Sequence, residues 1–384
     1  MSSNSHSIDD EYLPACCRSG KPHTHFASVS YQRRCTRCIL PDTFPNIRFD
    51  EDGVCNYCQG HTPLHYKGET VLRKLLEKYR GKGDSYDCIV PISGGKDSTY
   101  VLYSAVREFG MRALALNYDG GFATDQAKRN LEKAIESVQV DFVRITSKRD
   151  IQKKCLKDCI EAWAAKPSSE DFPLLCYGCR AGVEEAAYRI AAKKGVPLIL
   201  MGESEVEKDA SKGAFHRHHR SYLVHLAMRF LRNPHYLHPR RLYHFLLVQA
   251  PKLHNRVHRL ISKSAPLVVT WFDYIPYDDR LMLPTVIEKM GWSKPASRAS
   301  SWRLDCKISA LKNAMYRRKG FSMKEEVYSK MIREGTLTRQ AALNLVEQEN
   351  SGYEAAMASD VLRQLGIPEK LGELLLFGRP SEAP

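Results

Sequence analysis

The sequence predicts an α/β fold, a parallel sheet with helices on both faces, and three observations predict it. Between residues 87 and 201, short apolar runs of strand length alternate with segments of helical period. A glycine-rich turn, Ser93-Gly94-Gly95-Lys96-Asp97-Ser98-Thr99, joins the first apolar run to the first helical stripe. Two Cys-x2-Cys pairs, Cys35/Cys38 and Cys55/Cys58, stand ahead of that region and mark off a small module. Strand–helix alternation implies crossover connections, and a parallel sheet built this way takes its ligands at the carboxyl ends of the strands.

The elements follow in order. Residues 1–30, rich in Ser, His and Asp, lack the continuous apolar core of a signal peptide and read as a loose tail. Residues 31–66 form the cysteine module, and 67–209 the α/β domain, which continues through 264–310. Strands are expected at 87–92, 113–118, 141–146 and 196–201. Helices are expected from Ser98 to near Gly110, over 125–138, over 149–165 and over 181–194. Residues 210–263 form an inserted segment, and 311–384 a helical C-terminal region. In that region Gly335 parts two helices, with Thr336 or Thr338 as the second N-cap. The apolar run at 265–272 is too short to span a bilayer, so a cytoplasmic protein is expected.

The turn at Ser93–Thr99 carries chemistry. It lies where a strand feeds a helix N-terminus, and free backbone N–H groups with the helix dipole attract an anion there. Gly94 and Gly95 let the backbone approach that anion, Lys96 adds a positive charge, and Asp97 suits Mg²⁺ held against phosphate. The spacing fits neither a Walker loop nor a dinucleotide fingerprint. Two further strand ends belong to the same edge. Asn117, Tyr118 and Asp119 are expected to face adenine and ribose, and Gly202, Glu203 and Ser204 the place where a substrate or metal meets the α-phosphate.

Twelve cysteines in a chain of this composition point to metal ligation rather than disulfides. Cys35, Cys38, Cys55 and Cys58 have the spacing of a structural zinc site, and four protein thiolates leave no open position for catalysis. Cys176 and Cys179, in a loop before a helix, with Cys306 downstream, suit an iron–sulfur cluster, a second zinc, or simple packing. Cys155 and Cys159, four apart on a helical pattern, read as core.

Charge is unevenly placed. The net charge is +14, yet residues 210–272 hold eleven Lys and Arg, nine of the fourteen His, and no Asp or Glu. The amphipathic stretches SYLVHLAMRFLRN and RRLYHFLLVQA within it suit an acidic partner: a nucleotide-sugar diphosphate, RNA or an anionic membrane surface. No metal spacing links its histidines.

The turn resembles the pyrophosphate loop of the N-type ATP pyrophosphatases. Taken in order with the cysteine pairs, LLCYGC, Gly202-Glu203-Ser204, DYIPYD, Asp305-Cys306 and IREGTLTRQAAL, the chain resembles the N-acetyl sugar amidotransferases of the WbpG and PseA kind over about residues 33–350. That resemblance implies a fold like the adenine nucleotide alpha hydrolases and an enzyme of surface-polysaccharide (O-antigen) or flagellar-glycan synthesis. It implies attack of an acetamido oxygen on the α-phosphorus of ATP, loss of pyrophosphate, and displacement of AMP by ammonia to leave an acetamidine. Lys96 and Asp97 would then be catalytic, Ser93 to Thr99, Asn117, Asp119 and Gly202 would bind ATP, and Glu203, Asp273 and Tyr274 would meet the sugar. Mg²⁺ on Asp97 and Zn²⁺ on the first four cysteines complete the set. With no glutaminase signature in the chain, the ammonia would come from a glutaminase and conduit pair similar to that of histidine biosynthesis. The rival reading is a tRNA-thiolating enzyme with the same ATP loop and an iron–sulfur cluster at Cys176, Cys179 and Cys306; nucleic acid is the less expected partner.

Overall fold

The computed structural model describes residues 33–166, 175–207, 230–262, 264–296, 298–349 and 351–377. Five strands, β1 (Cys88–Pro91), β2 (Ala113–Asp119), β3 (Asp141–Thr146), β4 (Leu198–Met201) and β5 (Leu267–Thr270), form one sheet in the order β3-β2-β1-β4-β5. Every neighbouring pair is parallel; Cys88 of β1 stands opposite Ala113 on one side and Leu198 on the other. The chain winds outward from β1 in one direction and then the other, so the crossovers part at the carboxyl end of β1 and open a crevice there.

Burial on both faces explains the continuous apolar runs. Cys88, Val90, Ala115 and Leu200 enter one core, with Val101, Leu102 and Leu131. Ile89, Leu114, Leu116 and Ile199 enter the other, with Ala186, Ala187 and Ala191. The helices behind these contacts are α1 (Glu69–Tyr79), α2 (Lys96–Tyr103), α3 (Asp125–Val138), α4 (Ile151–Ala165) and α5 (Tyr177–Lys193). Helix α2 begins at Lys96, two residues before the expected Ser98, with Gly95 as its N-cap, and runs into one wide turn over Ser104–Glu108. Thr124 caps α3 by accepting from Ala127 N, a contact worth about 1 kcal/mol.

Two expectations are corrected here. The run near 265–272, read only for its length, contributes strand β5 at the sheet edge, where it pairs with β4. Helix α5 starts at Tyr177, not Ala181: Cys176 is its N-cap, its carbonyl accepts from Arg180 N, and Cys179 lies in the first turn instead of a loop.

The inserted region supplies α6 (Pro239–Ile261), which starts with proline at its first position. It packs on α4 and α5 through Val248, through His244 Nδ1 at 2.5 Å from Asp158 Oδ2, and through Tyr188 at 2.6 Å from His258 Nδ1. Most of SYLVHLAMRFLRN lies outside the described residues. Beyond β5 come α7 (Asp279–Met290), α8 (Ile308–Arg317), α9 (Met323–Arg333), α10 (Arg339–Glu347), α11 (Ser351–Gln364) and α12 (Glu369–Phe377). Ser322 and Glu325 form a reciprocal capping box at α9, and Thr338 caps α10. A buried ionic network ties this region together: Arg298 and Lys324 each contact both Glu349 and Glu354 at 2.6–3.2 Å. Among the described residues no helix is long and apolar enough to cross a membrane.

Candidate functional site

The turn after β1 is built as the sequence requires. Gly94 has φ +84°, and a Cβ there would lie 2.0 Å from the Ala127 carbonyl oxygen of α3, so only glycine fits. Its carbonyl accepts from Trp292 Nε1 at 3.0 Å, and Ser98 Oγ accepts from Ser93 N at 3.2 Å, closing the turn on itself. The first-turn amides of α2 therefore face the crevice at the carboxyl edge. Gly202, at the end of β4, abuts Ser98: a Cβ there would lie 3.4 Å from the Ser98 Cα.

A cavity of about 310 Å³ opens on this turn. Ser93, Gly95, Lys96, Asp97, Ser98, Asn117, Asp119, Gly202 and Glu203 all line it, and so do Cys176, Cys179 and Cys306. Gly94 and Thr99 shape it from behind: Gly94 against α3, Thr99 fully buried with its amide on the Gly95 carbonyl. Asn117 donates to the Ile92 carbonyl at 2.8 Å and so ties β2 to β1, while Asp119 accepts from Gly121 N at 2.8 Å in the turn that follows β2. Asp273 and Tyr274 are not brought to the cavity. Their carbonyls accept from Lys67 N and Gly68 N, and Lys67 stacks on the Tyr274 ring at 4.6 Å, so the pair anchors the link into α1.

Lys96 is not free in the crevice. It is fully buried, 2.6 Å from Asp97 Oδ1 and 3.1 Å from Asp279 Oδ1, and it donates to the Tyr277 hydroxyl. Burial works against its charge, but Asp97, Asp279 and Glu207 outweigh burial and hold its proton more tightly than usual. Asp97 is pushed up to about 6, first by burial, then by Glu207 and Asp279, with Lys96 opposing. One cation thus serves three carboxylates from three parts of the chain.

Several of these residues escaped the sequence reading. Tyr277 lies in the motif string DYIPYD and Asp279 directly after it, and Glu207 carried no spacing signal. Asp305 is held by pairing of its strand-like segment with 122–124: Thr124 N donates to the Asp305 carbonyl at 3.2 Å and Lys307 N to the Phe122 carbonyl at 2.8 Å. Its carboxylate then lies against Gly95, where a Cβ would meet Asp305 Oδ2 at 3.2 Å.

The three cavity cysteines share one wall, but among the described residues the only closely gathered metal-ligand group is Cys35, Cys38, Cys55 and Cys58. Burial, then Cys176, pushes the Cys179 thiol up to about 12, and burial with Cys179 and Asp305 raises Cys306 well above the usual thiol range. In the first set, Cys35 and Cys58 sulfurs lie 3.9 Å apart and those of Cys38 and Cys55 3.8 Å apart. A tetrahedron with metal–sulfur bonds of about 2.3 Å has edges of about 3.8 Å, so the four sulfurs fit such a site. Amides of Cys38 and Cys55 donate to Cys35 Sγ at 3.4 and 3.2 Å. The module docks on the C-terminal helices: Arg339 donates to the carbonyls of Cys38 and Cys35 at 3.0 and 3.2 Å, and Arg34 pairs with Glu325 at 2.6 Å.

No family model matches the chain. It is 25% identical over 114 residues to an uncharacterized protein of Methanocaldococcus jannaschii, covering 29% of this chain and 41% of that protein. The chain thus spans less than half the length of that relative. Among solved structures it is similar to an NMN synthetase from Francisella tularensis, with 18% identity, 36% of this chain and 52% of the other covered, and a TM-score of 0.25. It is also similar to a tRNA thiolase from Methanococcus maripaludis holding a 4Fe–4S cluster, with 11% identity, 88% and 89% of the two chains covered, and a TM-score of 0.34.

Proposed function

We propose that this chain is an ATP-dependent amidotransferase of the ATP pyrophosphatase type, converting the N-acetyl group of a sugar to an acetamidine. One observation carries the reading: the Ser93–Thr99 turn, with a positive-φ glycine that admits no side chain, opens at the sheet's switch point into a cavity lined by Asp97, Glu203, Glu207 and Asp305. Amides of the turn and of α2 receive the phosphates of ATP. Mg²⁺, when bound, neutralises charge on the pyrophosphate leaving group. Asp97 would hold it; Lys96, paired with Asp97 and Asp279, orients the Asp97 carboxylate.

The acetamido oxygen of the sugar attacks the α-phosphorus and pyrophosphate departs. Ammonia then adds to the imidate carbon, AMP leaves with the oxygen, and the product is lighter by the difference between O and NH. Ammonia is mostly protonated at neutral pH, so a glutaminase and conduit pair is the expected donor. The Cys35, Cys38, Cys55 and Cys58 site holds Zn²⁺ as a structural clip between the module and α9–α10. To test the reading, the chain is incubated with ATP, Mg²⁺, ammonium and a panel of N-acetyl sugars carried on UDP. AMP, pyrophosphate and the mass change should appear together. Pyrophosphate without any sugar-dependent increase sinks it.

A second reading has its own observation, the three cysteines on the cavity wall. A thiolating enzyme would place Cys176, Cys179 and Cys306 on three irons of a cluster and leave the fourth iron open. Anaerobically purified protein with iron and acid-labile sulfide, sulfide-dependent AMP release on tRNA, and no response to ammonium would replace the first reading with this one.

A further inference from the structure

A second cavity, about 610 Å³, lies beside the first, between α4, α5 and α6 at the carboxyl ends of β2 and β3. The two share Tyr118 and Gln152. Lys148, Arg149 and Lys154 line it, and none of the three has an ion pair among the described residues; Arg189, also there, is held by Glu185 at 2.8 Å. The cleft therefore carries positive charge that no ion pair among the described residues neutralises. Gln152, on the wall between the cavities, is buried, and its Oε1 has no hydrogen-bond partner. An unmet buried acceptor is costly and marks a place where a ligand donor belongs.

The outer side of the cleft is apolar. It continues into a groove of about 740 Å³ between α5 and α6, lined by Tyr188, Ala192, Leu246, Leu247 and Ala250. From there Leu246, Leu253, Val257, Leu260 and Ile261 run along one face of α6, at helical spacing. Among the described residues this face is bare: Leu253 is 64%, Leu260 86% and Ile261 77% exposed. A soluble nucleotide sugar has no use for such a stripe. A surface that is apolar along a helix, within a segment holding eleven cations and no anion, complements an anionic lipid interface.

We propose that the cleft between α4, α5 and α6 binds the diphosphate of a lipid-linked sugar. Its hydrocarbon chain leaves along the groove and the α6 face, and its sugar reaches the turn's cavity past Tyr118 and Gln152. The inference rests on the amidotransferase reading and names its substrate class. The order charge, then apolar groove, then apolar face matches the order of groups in such an amphiphile, and Gln152 stands where the first sugar would meet the site.

The test is a binding measurement on the full chain without ATP. The probes are farnesyl diphosphate below its micellar concentration, farnesol, and UDP-N-acetylglucosamine. Farnesyl diphosphate should bind at least ten-fold more tightly than either of the others. Leu246→Glu with Leu253→Glu should remove that advantage, and Lys148→Glu with Lys154→Glu should weaken farnesyl diphosphate ten-fold or more. All four positions are exposed, so ATP affinity and the thermal midpoint should stay unchanged in both variants. Equal binding of UDP-N-acetylglucosamine, or binding indifferent to the leucine pair, overturns the proposal. So does a dimer that the leucine variant dissolves, because a second copy then covers the face, or a lowered midpoint, because the chain itself does. No turnover enters the measurement. Intact binding, with N-acetyl sugars carried on farnesyl diphosphate as unreactive as the UDP-linked panel, would sink the amidotransferase reaction and leave the site; turnover without this binding would do the reverse.

Discussion

Lys96 Nζ lies 3.1 Å from Asp279 Oδ1 and 2.6 Å from Asp97 Oδ1, fully buried. The lysine of the glycine-rich turn therefore points inward to carboxylates; in the proposed reaction the phosphates of ATP would fall to the backbone amides of the turn.

This arrangement separates stability from activity. Lys96→Met leaves three carboxylates without their cation and should destabilise the fold by about 3–5 kcal/mol. Asp97→Asn relieves the excess and should leave stability equal or up to about 1 kcal/mol higher, yet abolish AMP and pyrophosphate release. Because the folded-state value of Asp97 is raised to about 6, its contribution to stability is full below the ordinary carboxylate range and is lost as pH rises through about 6. In Mg²⁺-free buffer the Asp97→Asn protein should lack that decline. Urea unfolding at pH 5 and pH 7.5 checks the stability claims and a pyrophosphate-release assay the activity claim; an equal decline in the variant would show that another group titrates.

Gly94→Ala should abolish ATP turnover through shape alone. The added methyl group meets the Ala127 carbonyl and sits at a left-handed φ, so the turn must move off α3. Equilibrium dialysis with ATP should show at least a ten-fold loss of affinity. Unchanged binding would mean the turn adapts and does not form the phosphate cradle.

Elemental analysis should find one zinc per chain that is lost in Cys55→Ser and kept in Cys176→Ser. Since Arg339 holds the carbonyls of Cys35 and Cys38, loss of the metal should also loosen α9 and α10. Faster amide exchange over residues 323–347 in Cys55→Ser is the signature. Zinc retained at full occupancy in that variant rules the site out.

The Arg298, Lys324, Glu349 and Glu354 network is balanced, two charges of each sign, and fully buried. Removing one partner strands a charge. Glu354→Gln should therefore destabilise by about 3–5 kcal/mol, lowering the thermal midpoint by several degrees, while the more exposed Arg73–Glu69 pair of α1 can be broken at a cost of about 0.5 kcal/mol or less.

The sequence alone determined whatever depends on local chemistry. Strand β3 and helix α3 fall where apolar period and capping put them, because a buried parallel strand and an amphipathic helix leave different periods in the chain. The turn at Ser93–Thr99 and the four-cysteine set were legible because each function needs its residues at a fixed short spacing. Cys155 and Cys159 are buried as read.

Only tertiary structure decided the rest. Asp279, Glu207 and Tyr277 reach Lys96 from distant segments, and no local pattern records which carboxylate a buried lysine will meet. The same holds for Asp273 and Tyr274, which the motif string put with the sugar and the fold uses to anchor α1. Strand β5 was hidden because an edge strand of four residues is too short to show a period, and its pairing with β4 creates it. The cleft beside the turn belongs to three helices separated in sequence, so its charge and its apolar exit exist only once α6 is laid across α4 and α5.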